Sequence, residues 1–178
     1  AEEANKLWRM LSGSTFREKR DRAIIALLLW QGLRAQETAD LSTQSLDIAA
    51  FDWVDVLGKG AKNRRSYLCA PAREALIQWW EIRKNADLEI LPLFCPLEIE
   101  VPKIWEKNGY LTVRTIERIA DRALENAGLK QAGRSAHSLR HTFAVLSRLG
   151  GAELEALSVS MGHSSISTTE IYSRAAAR

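Results

Sequence analysis

Residues 17–31, REKRDRAIIALLLWQ, decide the fold of this chain. Their polar beginning gives way to a run from Ala23 to Trp30 that is apolar on nearly every side of a helix, which is typical of a helix at the centre of a domain. Gly32 follows, and glycine favours the positive φ at which many helices end. We therefore expect a buried helix over Arg17–Gln31, with Arg34 held just beyond its end.

The flanking sequence predicts further helices and a small sheet around this helix. The predicted helices are Glu2–Leu11, Ala35–Leu41, Pro71–Lys84, Thr112–Asn126, Ser135–Leu149, Ala152–Ser160 and Ser165–Ala175. The predicted strands are Leu46–Ile48, Trp53–Leu57 and Ser66–Leu68. Glu89–Asn108 is expected to be an irregular surface loop that Leu93 and Phe94 anchor to the core. The fold class is thus mainly α (α+β), a helical bundle with a small three-stranded antiparallel sheet, in one domain over residues 1–178.

Composition limits the classes of function only loosely. The net charge of +3 over 178 residues mildly favours a polyanionic partner but does not identify one. Cys69 and Cys95 lie outside any Cys-x-x-Cys spacing, so they are expected to be free thiols in a reducing cytoplasm. The longest apolar run is shorter than the roughly 20 residues that cross a bilayer, so no membrane partner is expected.

The last quarter of the chain carries the residues that suit reaction at a phosphodiester. His137, Arg140 and His141 share one side of the helix Ser135–Leu149, which predicts a cationic face opposite an apolar one. His163 and Tyr172 follow. An ordinary solvated helix face remains the alternative interpretation of the cationic side.

Metal and nucleotide sites are both disfavoured. His137 and His141 have the i, i+4 spacing of zinc ligands, and His163 could supply a third. However, no glutamate follows the first histidine, and Arg140 would place a fixed positive charge beside the cation. The Gly58-Lys59-Gly60 turn is too short for a phosphate-binding Walker loop. We therefore expect neither a metal nor a cofactor.

Four sequence boxes occur along the chain in a recognisable order. They are Gly32-Leu-Arg34-Ala-Gln-Glu37, Gly58-Lys59-Gly60-Ala-Lys62-Asn-Arg64, His137-Ser-Leu-Arg140-His141-Thr-Phe-Ala and Gly162-His163-Ser-Ser-Ile-Ser-Thr-Thr-Glu-Ile-Tyr172. Any one box is a weak signal. Together, across almost the entire chain, they resemble the catalytic domain of the tyrosine recombinases, the integrases and Xer-like enzymes that cut and rejoin DNA.

The resemblance implies a nucleophile and a phosphate clamp. Tyr172 would attack the scissile phosphate, form a 3′-phosphotyrosyl bond and release a 5′-hydroxyl. Arg34 and Arg140 would hold the non-bridging oxygens, because a planar guanidinium matches phosphate with two parallel hydrogen bonds. Lys59 would protonate the leaving 5′-oxygen, with Lys62 as the rival candidate.

The remaining box residues would support this chemistry. His137 and His163 would donate hydrogen bonds to the phosphate and assist proton transfer, since a histidine can give or accept a proton near neutral pH. His141 is expected to be structural. Glu37 is expected to orient Arg34 or a neighbouring backbone group, with a plain surface carboxylate as the alternative.

The resemblance also implies the partners. They would be duplex DNA and other recombinase protomers in a synaptic tetramer, in the cytoplasm and at the nucleoid of a prokaryote, phage or mobile element. The N-terminal helical domain with which most members clamp DNA is expected to be absent from this chain, and the tail beyond Tyr172 to be short. Two other functions stay open here: DNA relaxation like that of a type IB topoisomerase, and an inactive recombinase-derived module that only binds DNA.

Overall fold

The computed structural model describes residues 1–58, 63–85, 91–96 and 109–162. Its helices are α1 (Glu2–Met10), α2 (Phe16–Trp30), α3 (Ala35–Ala39), α4 (Ala70–Asn85), α5 (Val113–Asn126), α6 (Ala136–Leu149) and α7 (Leu154–Met161), with a 3-10 turn over Thr43–Ser45. Two antiparallel strands, β1 (Trp53–Leu57) and β2 (Asn63–Tyr67), form the sheet of the described part. This is the mainly helical class expected from the sequence.

Helix α2 runs through the centre of the domain, as predicted. Residues 23–29 are all buried, and α2 packs against α4 on one side and α6 on another. Thr15 begins the helix by accepting a hydrogen bond from the Glu18 backbone N–H, while the Glu18 carboxylate accepts one from the Thr15 backbone N–H. This capping box fixes the start of the helix on whose far end the site is built.

Gly32 allows α6 to pack closely against the end of α2. Its φ is +64°, and a Cβ there would lie 2.2 Å from Cδ1 of the Phe143 ring. Any larger residue would need both a strained backbone and a displaced ring. Gly32 therefore sets the distance between the helix that leads to Arg34 and the helix that carries Arg140.

The sheet has two faces with different surroundings. In the register of the strands, Val54 lies opposite Ser66 and Val56 lies opposite Arg64. Both valines are buried, so Arg64 points toward the interior with them. Arg65, next along the strand, lies on the outer face and pairs with Asp55 at 3.0 Å. Two adjacent arginines thus occupy opposite environments.

The third predicted strand, Leu46–Ile48, is reduced to a single bridge between Leu46 and Val54 in the described structure. The Asp47 carboxylate accepts hydrogen bonds from the following backbone N–H groups, of which that of Ala49 lies at 3.3 Å. Phe51 has a positive φ of 53°. The chain therefore turns directly after Leu46 instead of extending, because an aspartate bonded to its own backbone favours a turn.

Residues 91–96 are anchored to the core, as predicted for Leu93 and Phe94, both of which are buried. Indole Nε1 of Trp79 donates to the Leu93 carbonyl at 3.0 Å, and buried Arg20 donates to the Cys95 carbonyl at 3.0 Å. Of the predicted loop Glu89–Asn108, only residues 91–96 belong to the described part of the chain. No helix in the described ranges is long and apolar enough to cross a membrane.

Candidate active site

Glu37 is the centre of a cluster of arginines at the start of α3. Its carboxylate accepts hydrogen bonds from the Arg34 backbone N–H at 2.9 Å and from Arg34 Nη1 at 2.7 Å. It also accepts two from Arg64, with Nη1 on one oxygen and Nη2 on the other, both at 2.9 Å. Glu37 is only 4% exposed, so it is no plain surface carboxylate. Its contacts with Arg34 involve both the backbone and the side chain of that residue.

The protonation state of Glu37 follows from these contacts. Burial by itself would raise the pKa of the carboxyl, because it penalises the charged form. The hydrogen bonds from Arg64 and from the Arg34 backbone outweigh burial and lower the pKa of Glu37 from its ordinary 4.5 to about 2. Glu37 is therefore an anion over the whole physiological pH range.

Arg140 joins the cluster from α6, and its position corrects one expectation. The sequence placed it on an exposed cationic helix face, but it is only 4% exposed. Its Nη1 donates to the Gly32 carbonyl and lies 3.8 Å from Glu37 Oε2, while its Nη2 donates to the Met161 carbonyl at 2.7 Å. The side chain is covered because α6 packs against both α2 and α7.

The carbonyls at the end of α7 bind the same guanidinium groups. Arg34 donates to the Met161 carbonyl at 3.4 Å and to the Gly162 carbonyl at 3.3 Å, and Arg64 Nε donates to the Ser160 carbonyl at 3.0 Å. The last carbonyls of a helix lack partners within the helix and carry partial negative charge. The end of α7 is thus held against the cluster by charge-assisted hydrogen bonds.

The cluster has an excess of positive charge. Within the described residues, three guanidinium groups lie within 4.0 Å of the single Glu37 carboxylate. The Arg34 side chain is 38% exposed, whereas that of Arg140 is 4% exposed. A surplus of fixed guanidinium charge with one member open to solvent suits the binding of an oxyanion such as a phosphate.

The two histidines of α6 lie apart from this carboxylate. His137 is exposed and lies one turn of α6 before Arg140. His141 lines a cavity of about 370 Å³ between α1, α5 and α6. His141 is also exposed, but desolvation of its ring by neighbouring atoms, with a smaller contribution from His137, lowers its pKa. Across the described ranges, no three His, Cys, Asp or Glu side chains gather as a metal site would require.

Four of the predicted site residues, Lys59, Lys62, His163 and Tyr172, lie outside the described residues. The chain nevertheless leaves the described part close to the cluster. Gly162, the residue before His163, has its carbonyl bonded to Arg34. Arg64 follows Lys62 by two residues. Gly162 and Arg64, which are described, therefore both lie at the arginine cluster.

Arg64 is the member of the cluster to which sequence reasoning gave no role. It was quoted only as the last residue of the lysine box. One signal could have found it: Arg64 has the same strand parity as Ser66 and Leu68, so it belongs to the inward face of a half-buried strand. An inward arginine requires an acidic partner, and Glu37 supplies it.

Relatives of known function resemble the chain over most of its length. It is 33% identical over 159 residues to the tyrosine recombinase XerC of Chlorobaculum tepidum, covering 88% of this chain and 46% of that protein. It is 34% identical over 173 residues to XerC of Caldanaerobacter subterraneus subsp. tengcongensis, covering 96% of this chain and 45% of that protein. The chain thus spans about half the length of the curated relatives it matches.

Solved structures share the fold. The crystal structure of XerA recombinase superimposes with a TM-score of 0.80 at 25% identity, over 96% of this chain and 57% of that one. XerH site-specific recombinase, in a post-cleavage complex with a palindromic difH substrate, gives a TM-score of 0.78 at 26% identity, over 97% of this chain and 48% of that one. The family model of the phage integrases matches residues 1–178. The chain therefore belongs to the phage integrase family.

Proposed function

We propose that this chain is the catalytic part of a tyrosine-type site-specific recombinase, which breaks and rejoins duplex DNA through a 3′-phosphotyrosyl intermediate. The observation that carries the proposal is the convergence of Arg34 and Arg140 on one carboxylate and on one carbonyl, that of Met161. These two arginines come from boxes more than 100 residues apart. Joint binding of a DNA phosphate would explain why a chain of the phage integrase family brings these two arginines together.

The arginines bind the scissile phosphate and stabilise its transition state. Nucleophilic attack on a phosphodiester develops negative charge on the non-bridging oxygens, and fixed guanidinium donors stabilise that charge without reorganising. Glu37 and the carbonyls of Gly32 and Met161 hold the donors in place before DNA arrives. Such preorganised donors contribute about 10²–10³-fold each in rate in other enzymes.

Tyr172 is the proposed nucleophile. Its phenolic oxygen forms a bond to phosphorus, and the bond from phosphorus to the 5′-oxygen of the next nucleotide breaks. The phenol gives its proton to His137 or His163, and the 5′-oxygen gains a proton from Lys59 or, as the rival, from Lys62. A 5′-hydroxyl of another strand then reverses the step. The phosphotyrosyl bond conserves the energy of the broken bond, so neither a nucleotide nor a metal cofactor is required.

His137 and His163 are the proposed partners of the phosphate in proton transfer. His137 is exposed one turn before Arg140, so it is open to a DNA backbone bound over the arginines. His141 is proposed to be structural, because it lines the cavity between α1, α5 and α6 rather than the Glu37 cluster.

The proposed partners are duplex DNA and further protomers in a synaptic tetramer, in the cytoplasm at the nucleoid. The XerH structure contains its difH substrate, and XerH is one of the structures most like this chain among those compared above. Positive charge exceeds negative charge on the chain as a whole, which favours association with the backbone.

Trapping on nicked DNA tests the proposal. A pool of duplexes, each nicked a few nucleotides beyond a randomised segment, lets the short 5′-hydroxyl fragment diffuse away after cleavage, so that the adduct accumulates. At low ionic strength we expect the chain to form a DNA adduct that survives SDS, and Tyr172→Phe to form none. Equal results for the two proteins, with or without an adduct, would refute the proposal.

A second measurement assigns the general acid. A duplex recovered from the pool is made with sulfur as the bridging 5′-atom, which leaves without a proton. Lys59→Ala is expected to lose cleavage on ordinary DNA and to regain it on the sulfur substrate. Rescue of Lys62→Ala alone would transfer the role to Lys62.

A further inference from the structure

We propose that Arg64 is a positioning residue for DNA cleavage, which sets the orientation of Arg34 through Glu37 and holds the end of α7 at the arginine cluster. The inference rests on the proposed function. It gives a task in the same site to a residue whose guanidinium is bonded to Glu37 and to the Ser160 carbonyl.

All three guanidinium nitrogens of Arg64 donate hydrogen bonds to protein groups on two other elements, α3 and α7. Nη1 and Nη2 bond separately to the two oxygens of Glu37, both at 2.9 Å, and Nε bonds to the Ser160 carbonyl at 3.0 Å. The side chain is 14% exposed. A two-pronged contact fixes the plane of the carboxylate as well as its distance.

Fixing that plane also fixes Arg34. The Glu37 oxygen that receives Arg64 Nη1 also receives Arg34 Nη1, and the oxygen that receives Arg64 Nη2 also receives the Arg34 backbone N–H. Rotation of the carboxylate would therefore displace both bonds to Arg34. The Arg34 side chain is 38% exposed and depends on Glu37 for its orientation.

Arg64 also links three parts of the chain that are distant in sequence. It lies on β2, Glu37 lies on α3, and Ser160 lies in the last turn of α7. A Cβ at Gly162 would be 3.0 Å from Arg64 Nη1, so the guanidinium lies directly against the turn that precedes His163. One side chain thus connects the strand after the lysine box, the arginine clamp and the start of the segment that leads to Tyr172.

Lysine cannot replace Arg64 in this task. An ammonium group has the charge but is a single point, so it cannot bridge both Glu37 oxygens and reach the Ser160 carbonyl in one plane. Arg64→Lys therefore separates charge from geometry. It should leave the affinity for DNA, which depends on charge, nearly unchanged. It should lower the rate of cleavage at saturating DNA by about 10²-fold, the usual effect of a misplacement of about 1 Å.

The test is a double-mutant cycle on single-turnover cleavage of a nicked duplex recovered from the randomised pool. The four proteins are the wild-type chain, Arg64→Lys, Glu37→Gln and the double variant, and Kd is measured for each in the Tyr172→Phe background. We expect Arg64→Lys to reduce the rate about 10²-fold in the wild-type chain but to cause little further loss beside Glu37→Gln, because both act on Arg34.

Arg65→Lys is the matched control. Arg65 neighbours Arg64, lies on the outer face and pairs with exposed Asp55. The cleavage rate of Arg65→Lys should therefore equal that of the wild-type chain. An unchanged rate for Arg64→Lys, or equal losses in both backgrounds, would overturn the inference. Arg64→Gln is measured in parallel. Circular dichroism measures how much of each variant is folded. If Arg64→Lys and Arg64→Gln both lose cleavage only in proportion to their loss of folded protein, the inference is also overturned. The absence of a Tyr172-dependent adduct from the wild-type chain would instead refute the proposed function.

Discussion

Glu37→Gln is expected to destabilise the domain as well as to disorder the arginines. The substitution removes the charge that two guanidinium groups contact and a third approaches at 3.8 Å. It also turns an NH₂ group toward N–H donors. The depression of the Glu37 pKa from 4.5 to about 2 corresponds to on the order of 3 kcal/mol of stability at neutral pH. Breaking a buried ion pair by removing one partner costs a similar 3–5 kcal/mol in other proteins, by rough order.

The assay is urea unfolding at pH 7, followed by circular dichroism, with Asp55→Asn as the control. Asp55 also pairs with an arginine, Arg65, but both side chains are more than 40% exposed. An exposed pair contributes about 0–1 kcal/mol. We expect the unfolding free energy to fall by on the order of 3 kcal/mol for Glu37→Gln and by less than about 1 kcal/mol for the control. Equal, small losses for the two variants would refute the reasoning.

The pH dependence of the same difference follows from the sign of the shift. Because the folded-state pKa of Glu37 lies below the unfolded one, its contribution is complete above pH 4.5 and is lost as the pH falls toward about 2. The stability gap between the wild-type chain and Glu37→Gln should therefore be constant from pH 7 to pH 5 and shrink below that. A gap that stays constant down to pH 3 would show that Glu37 does not titrate as inferred.

Three further predictions concern folding and the thiols. Gly32→Ala should lower the urea midpoint more than Gly133→Ala does, because both have a positive φ that costs about 1–2 kcal/mol but only Gly32 faces a ring, that of Phe143. Equal midpoints would contradict the close packing of α6. Thr15→Ala should cost about 1 kcal/mol in the same assay through loss of the α2 cap, and no loss would contradict the capping box. The Cys95 thiol should react with a disulfide reagent far more slowly in the folded chain than in urea, because it is buried and burial raises its pKa; similar rates would contradict its position.

Local patterns predicted the scaffold of the site. The apolar run of α2 and the glycine after it predicted where the helix ends and thus where Arg34 lies, whereas a role for Glu37 beside Arg34 was expected only from the family resemblance. The apolar run and the glycine depend on neighbours within a few residues along the chain, so a single sequence carries them.

The burial of Arg140 and the role of Arg64 depend on contacts between distant segments. Helical periodicity placed Arg140 on the polar side of α6, but periodicity within one helix cannot predict that α7 packs over this side and buries the arginine. The inward direction of Arg64 follows from strand parity, yet its partner on α3 follows only from the packing of the sheet against the helices. The missing third strand was lost to the turn around Asp47, in which a side chain competes with the sheet for backbone N–H groups.

Identification of the residue that becomes linked to DNA tests the proposed chemistry most directly. Cleavage of the SDS-stable adduct with trypsin releases the peptide over residues 149–174, in which Tyr172 is the sole tyrosine. Mass spectrometry after nuclease digestion should find the nucleotide phosphate on Tyr172. A phosphate on Tyr67 or Tyr110, or on a residue that is not tyrosine, would contradict the proposal that Tyr172 attacks DNA beside the Arg34–Glu37–Arg140 cluster.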